Sequence, residues 1–393
     1  MEKRQPSLKK IFLPLCLAIV ITVFALGLRV NLALNGPVEY DEPVYFRAAI
    51  YYARDILNQD WDSVIHSDYN LEHPPLVKLV DGLALSQTTR LTEYTPVPRS
   101  FPIRGQPDYV SLRNLRLVSA FFGSMAVFIL SLVNPLAGLA LAVHTFAVKY
   151  TSIIYLEALP LCGAVVCVAA FSKYEESHRS GWLILSAMAC GLSLASKYVY
   201  GLAGISVFIY GLYRVSHPHP SYKYVPRHTQ WMKIIVWGSL SLVFFFLADP
   251  RLWNNPLANL WQSMSFSTAY ASQNNTELLK YGYPFWQPIK WLAQSIPDTT
   301  YQAPPFYFRP GDYLIAVDTI FLPLAGLGLW RLSKTSPIYF IWLLIGLLFL
   351  LFWNTKWPQY ILVILPPYCL AAANGLAIIF GGFKRLYQRL AKN

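Results

Sequence analysis

Long apolar runs separated by short polar breaks dominate the 393-residue chain. The runs fall near 11–33, 116–133, 134–149, 151–171, 182–197, 199–213, 233–248, 313–330, 337–353 and 359–381. A bilayer-spanning helix needs about 20 mostly apolar residues. The pattern therefore predicts an all-α polytopic membrane protein of about ten transmembrane helices, in a single domain over 1–393. Two polar stretches are far longer than the rest, 34–115 and 249–312. In the first, Tyr45, Ala49, Tyr52 and Ile56 recur at helical spacing, with Arg47, Arg54 and Asp55 off the stripe. This predicts an amphipathic helix from Pro43 lying along the membrane surface. Pro74-Pro75 suits the first turn of a second short helix. The second stretch is rich in aromatic residues, among them Trp253, Trp261, Tyr281, Tyr283, Trp286 and Trp291. Such rings anchor a chain at the interface, or stack on sugar and flank a lipid chain.

Composition agrees with the pattern. Apolar residues make up 55% and charged residues 13%, where a soluble domain carries about 25% charge. Disorder, collagen and a small disulfide scaffold are excluded. The net charge of +12 could suggest nucleic acid, but its distribution argues otherwise. With ten spans and an inner N-terminus, the inner segments hold sixteen basic and three acidic residues (Glu2, Glu175 and Glu176). The rest of the chain is close to neutral. The basicity is then the positive-inside bias, which places 34–115 and 249–312 outside and gives nucleic acid no separate support.

Cys16, Cys162, Cys167, Cys190 and Cys369 all lie in apolar runs, so no disulfide framework or zinc site is expected. The run from Ile11 to Leu28 is longer than a usual signal-peptide core and lacks a small-residue cleavage site, so it reads as a retained first span. His217, His219 and His228 are too loosely spaced, with proline between them, to suggest a metal site.

The candidate chemistry gathers at one side. Asp41 and Glu42 are adjacent carboxylates just beyond the first span; alone they would simply favour a helix N-terminus. Glu72-His73-Pro74-Pro75-Leu76-Val77-Lys78 follows in the same stretch. Glu157 lies in the run 151–171, and a span starting at Thr151 would put it about 9 Å in; an ionisable group there is a functional candidate by default. Arg116, Lys197 and Lys356 sit at outer span boundaries. Each alone would be an interfacial anchor, but together they suit an anionic phosphate headgroup.

In their order along the chain these pieces resemble the GT-C superfamily of glycosyltransferases, which use polyprenyl-phosphate-linked sugars. Within it the chain is most similar to the protein O-mannosyltransferases and their bacterial relatives, including the lipid A aminoarabinose transferases. The resemblance rests on Asp41-Glu42, on His73-Pro74-Pro75-Leu76-x-Lys78, and on Arg116-Leu-Val-Ser-Ala-Phe-Phe-Gly. It continues through Tyr155-Leu-Glu157-Ala-Leu, Ser196-Lys197-Tyr198, Asp249-Pro250-Arg251-Leu252-Trp253, and Gln359-Tyr360 followed by Pro366-Pro367. Glu157 stands where many members have Asp. No soluble domain is expected after the last span, which leaves the acceptor open.

The resemblance implies inverting transfer of a sugar, mannose or another hexose, from a polyprenyl or dolichyl phosphate to a hydroxyl of a protein or lipid acceptor. Asp41 would be the general base and Glu42 would hold the acceptor or neighbouring cations. Glu157 would bind the sugar or orient the base. Arg116, Lys197, Lys78 and Lys356 would grip phosphate, and His73, Tyr198 and Tyr360 would line the substrate site. No cofactor is required, although a divalent cation between Asp41 and Glu157 would suit hard carboxylate ligands. Membrane lipids and the lipid-linked donor are the expected partners, with a dimer open as an assembly. In a prokaryote the location would be the cytoplasmic membrane, with the site on its outer face. The rival reading is a transporter or flippase, which should carry polar groups near the bilayer midplane; here they gather in the outer third.

Overall fold

The computed structural model describes residues 8–88, 109–217, 227–272, 283–294, 307–308 and 315–390. His219, Tyr281 and an Asn274-Asn275-Thr276 triplet of the glycosylation-acceptor type lie outside them. The helices in chain order are α1 (Leu8–Asn35), α2 (Glu42–Leu57), α3 (Trp61–Ile65), α4 (Leu76–Thr88), α5 (Tyr109–Val133), α6 (Pro135–Val143), α7 (Thr145–Tyr150) and α8 (Ala158–Ser177). They continue with α9 (Ser180–Ser196), α10 (Gly201–Ser216), α11 (Arg227–Ala248), α12 (Pro256–Ser272), α13 (Gln287–Ala293), α14 (Phe321–Thr335), α15 (Pro337–Phe352) and α16 (Leu365–Leu390). One two-residue antiparallel pair, Tyr307–Phe308 with Ile315–Ala316, is the β-structure among the described residues.

Six helices are long and apolar enough to cross a membrane, in α1, α5, α8, α10, α11 and α16. The shorter α9, α14 and α15 and the paired α6–α7 complete a multi-pass bundle of about ten crossings. Where every neighbour is equally apolar, close backbone approach helps helices associate. Gly328 of α14 and Gly375 of α16 show this. A Cβ on Gly328 would sit 1.9 Å from the Ala371 carbonyl oxygen, and one on Gly375 would sit 1.9 Å from that of Leu324.

Four expected spans depart from a single continuous helix. The run 134–149 is broken at His144, whose extended backbone separates α6 from α7. Arg29 of α1, fully buried, repairs the break. Its guanidinium donates to the carbonyls of Leu141 (3.5 Å) and Ala142 (3.3 Å) and to Thr151 Oγ1 (2.8 Å). The run 151–171 is helical only from Ala158, because Thr151–Leu156 forms an irregular segment before it. The runs 313–330 and 359–381 open with 3₁₀ turns, Val317–Ile320 and Pro358–Val363.

Helix α2 starts one residue before the predicted Pro43 and covers the predicted stripe, but its setting differs. Its stripe packs with α4 and α5 in a protein core rather than against lipid: Tyr45, Phe46, Ala49, Val77, Leu85, Leu112 and Leu115 are buried together. Asp55, expected off the buried face, is buried too, held by Arg54 (2.7 Å) and by the Tyr69 hydroxyl (3.2 Å). The second helix starts just after Pro75, as expected.

Candidate active site

Two buried ion pairs organise the end of the bundle where α1 stops and α8 starts. The first joins Arg116 of α5 to Glu42 at the start of α2, both almost inaccessible. Arg116 Nε donates to Glu42 Oε1 at 2.7 Å and Nη2 to Glu42 Oε2. Nη1 reaches the carbonyls of Ala33 (3.3 Å) and Gly36 (2.8 Å), and Nη2 also reaches that of Pro37 (2.6 Å). A guanidinium has five N–H donors, and these bonds occupy all five. Glu42 in turn accepts from the backbone N–H of Glu39 (2.9 Å) and Ile154 (3.1 Å). The pair ties the end of α1 to the segment before α8.

The second pair is Lys197 with Glu157. Glu157 is not inside a helix, as the apolar run suggested, but is the residue just before α8, with its side chain making no capping bond to that helix. Leu156 before it has φ +56°, a left-handed conformation unusual for a bulky residue, and this turn swings Glu157 inward. Its Oε1 accepts from Lys197 Nζ and its Oε2 from the Tyr200 hydroxyl at 2.6 Å. Lys197 ends α9, and its ammonium also lies 5.1 Å from the centre of the Tyr360 ring.

Asp41 sits between the two pairs. Its backbone N–H donates to the Tyr155 hydroxyl at 3.3 Å. No hydrogen bond to its carboxylate is found among the described residues, and it makes no capping bond to α2. Burial raises its pKa above the ordinary carboxylate range; Lys197 pulls it back down and Glu39 pushes it up. Glu39 is paired with Lys149 at 2.9 Å. Glu72 is also raised, first by burial and then by Asp41, against the opposing pull of Lys197 and Lys78. His73 is held well below its ordinary value by burial and by the nearby Lys197 and Lys78, so its imidazole is neutral.

A cavity of about 580 Å³ opens from this cluster. Glu72, His73, Lys197, Tyr198 and Tyr360 line its polar end. The remainder is an apolar groove between α9, α10, α11 and α15, roofed by Met264 of α12. Ser263 beside Met264 accepts from the Tyr198 hydroxyl (3.1 Å) and donates to the Leu71 carbonyl (2.8 Å), fastening α12 over the groove.

No protein-family profile matches the sequence, and no curated protein matches it. Solved structures do. ArnT from Cupriavidus metallidurans bound to undecaprenyl phosphate superposes with a TM-score of 0.56 at 16% identity, over 95% of this chain and 60% of that one. ArnT from the same organism in the apo state gives 0.57 at 16% identity, over 91% and 59%. This chain has the GT-C fold. It spans about 60% of the length of the ArnT chain.

On the GT-C frame the expected residues divide into two groups. Asp41, Glu157, Lys197, His73, Tyr198 and Tyr360 converge on one cluster. Arg116 and Glu42 instead occupy each other, which leaves no guanidinium N–H for a phosphate. Lys78 is also turned inward: its Nζ donates to the carbonyls of Tyr69 (3.1 Å), Asn70 (2.7 Å) and His73 (2.8 Å), shaping the loop before α4. Burial lowers its pKa to about 7. Lys356 donates to the carbonyls of Leu350 (3.0 Å), Leu351 (3.1 Å) and Trp353, closing the C-terminal end of α15. The Asp41–Glu157 cation pair does not fit a metal, since both Glu157 oxygens are taken by Lys197 and Tyr200. Among the described residues no group of three His, Cys, Asp or Glu could hold a metal ion.

Glu72, Tyr45 and Tyr155 stand in sequence stretches noted above but were given no role in the site, and Tyr200 was not named. Glu72 carried a signal, standing beside His73 at the proline pair; the tyrosines are brought in by packing alone. Arg251 is a further addition. It is buried next to Asp249, whose carboxylate accepts from the Arg251 backbone N–H at 3.2 Å, and no hydrogen bond from its guanidinium is found among the described residues.

Proposed function

We propose that this protein is an inverting membrane glycosyltransferase that moves a sugar from a polyprenyl-phosphate carrier to an acceptor hydroxyl on the outer side of the membrane. One observation carries the reading. An apolar groove leads from the hydrocarbon region to a polar cluster where the Asp41 carboxylate has no partner among the described residues. An isoprenoid chain suits the groove, and its phosphate would then meet Lys197 at the groove's polar end.

The roles follow from the geometry. Asp41 takes the proton of the attacking hydroxyl, and its raised pKa brings it closer to the pH at which a general base works best. Lys197 has three N–H donors, of which the one to Glu157 is accounted for among the described residues, and Arg251 keeps its guanidinium. These two offset the charge that grows on the departing phosphate, in place of Arg116, Lys78 and Lys356. Glu157 and Tyr360 hold Lys197 in position, and Glu72 and neutral His73 hydrogen-bond the sugar or the acceptor. Mannose or another hexose is the proposed sugar, and a protein or lipid hydroxyl the acceptor. The undecaprenyl phosphate bound to ArnT supports a lipid-linked donor.

The test is a detergent-solubilised reaction with a panel of polyprenyl-phosphate sugars and both acceptor classes. Wild type should form a glycosidic product. Asp41→Asn should turn over roughly 10²–10⁴-fold more slowly while binding the donor normally. Near-normal turnover by that variant would remove Asp41 from the role of base.

A further inference from the structure

The groove has a definite inner end. Helix α10 lines it with Gly201, Gly204, Ile205 and Phe208, about one turn apart on one face. Between Gly201 and Phe208 the helix descends about 10 Å at 1.5 Å per residue. Helix α11 lines the other wall, with Ser241 and Leu242 nearer the polar end and Trp237 and Gly238 deeper. A Cβ on Gly204 would lie 2.5 Å from Cys190 Sγ and 3.7 Å from the Trp237 ring, which sets Trp237 level with that depth. Ile205 and Phe208 are 47% and 45% exposed, so the groove opens sideways to the hydrocarbon there. Its 580 Å³ falls in the range of a site for a drug-sized ligand, roughly 300–1,000 Å³, and a long polyprenyl chain cannot fit inside it.

Gly238 differs from the other two groove glycines, Gly201 and Gly204, on which neighbours press; a Cβ on Gly201 would lie 2.5 Å from Leu194 Cδ2. Gly204 lacks a side chain because Cys190 stands where one would be. A Cβ on Gly238 would meet nothing within 4 Å. Glycine inside a helix costs about 1 kcal/mol relative to alanine, and no protein neighbour calls for it at 238. The space it leaves belongs to the groove.

Resting on the lipid-donor reading above, we propose that the groove holds only the phosphate-proximal isoprene units, and that Gly238 and Phe208 set where the chain leaves it for the bilayer. A larger residue at 238 shortens the bound stretch. A smaller one at 208 lengthens it. Neither residue touches the polar cluster.

The test measures binding of geranyl, farnesyl, geranylgeranyl and undecaprenyl phosphate to the detergent-purified protein. Wild-type affinity should rise with chain length and then level off once the groove is full. Gly238→Leu should bind geranyl phosphate as wild type does, lose about tenfold for the longer chains, and level off earlier. Phe208→Ala, at an exposed position that cannot unfold the bundle by leaving a cavity, should level off later. Unchanged length profiles in both variants would overturn the proposal, as would an equal loss at every length in Gly238→Leu. If that variant is not monodisperse, Phe208→Ala decides alone. Wild type that binds none of the four lipids would instead overturn the lipid-donor reading itself.

Discussion

The Arg116–Glu42 and Lys197–Glu157 pairs look alike in sequence, each a buried cation matched to a carboxylate near the same end of the bundle. In space they differ in what remains unsatisfied. Arg116 has an acceptor for each of its five N–H groups and faces backbone. Lys197 is held from one side by Glu157 and Tyr360 and lines an open cavity with the other. A saturated pair is a clasp, whereas a pair with donors to spare beside a cavity can meet a ligand. The surrounding donors and acceptors, more than burial or charge, distinguish the two.

The sharpest way to break this comparison is at the clasp. Arg116→Ala leaves Glu42 charged and without its counter-ion in a dry site, with only the Glu39 and Ile154 backbone N–H groups donating to it, which costs about 3–5 kcal/mol. Thermal unfolding in detergent should show a large loss of folded protein, and Arg116→Lys should recover little of it, because an ammonium cannot reproduce the five-donor fork. A folded, stable Arg116→Ala that merely binds lipid phosphate less well would return Arg116 to the substrate site. Glu157→Gln should behave in the opposite way. Glutamine fills the same volume and still accepts from Tyr200, so the protein should stay folded and monodisperse while sugar transfer falls at least a hundredfold, about 2.7 kcal/mol of barrier. In detergent no compartments exist, so product from wild type also separates an enzyme from a transporter.

Tyr360→Leu probes the support beneath Lys197. A desolvated cation–π contact contributes up to about 2 kcal/mol, so turnover should fall by no more than about thirtyfold, with the unfolding temperature little changed. The smallest effect concerns pH. Burial raises the Asp41 pKa, so the folded state holds that proton more tightly than the unfolded chain. The stability this contributes is complete below the ordinary carboxylate pKa and is lost as pH rises through the raised value. At neutral pH the ionised Asp41 is therefore a slight burden on the fold, and Asp41→Asn should unfold at a slightly higher temperature than wild type. The acid limb of the wild-type rate should lie above the ordinary carboxylate range for the same reason.

The span pattern and the general location of the charges were legible because both depend on hydropathy, which a one-dimensional pattern records. The roles of the charges were not. Arg116 is claimed by carbonyls that the turn after α1 leaves free, and no spacing announces that turn. Lys356 is likewise taken by carbonyls at the end of α15, and Lys78 by those of the loop before α4. The depth of Glu157 was misjudged because the run 151–171 is continuously apolar, yet one residue did carry the information. Pro160 is tolerated only in the first turn of a helix, and it fixes the start of α8 close to Glu157. Thr151 and Ser152 meanwhile bond back to the carbonyls of Ala147 and Val148, both at 2.6 Å, and close off α7. The break at His144 leaves no such mark.

The sideways opening of the groove has a kinetic consequence. A donor that enters from the hydrocarbon never crosses bulk water, so the quantity governing saturation is its mole fraction among the lipids or detergent molecules around the protein. Adding detergent at fixed donor should slow the reaction as though substrate had been withdrawn, and concentrating donor and detergent together should leave the rate unchanged. Turnover measured in micelles of different sizes becomes comparable only on that two-dimensional scale.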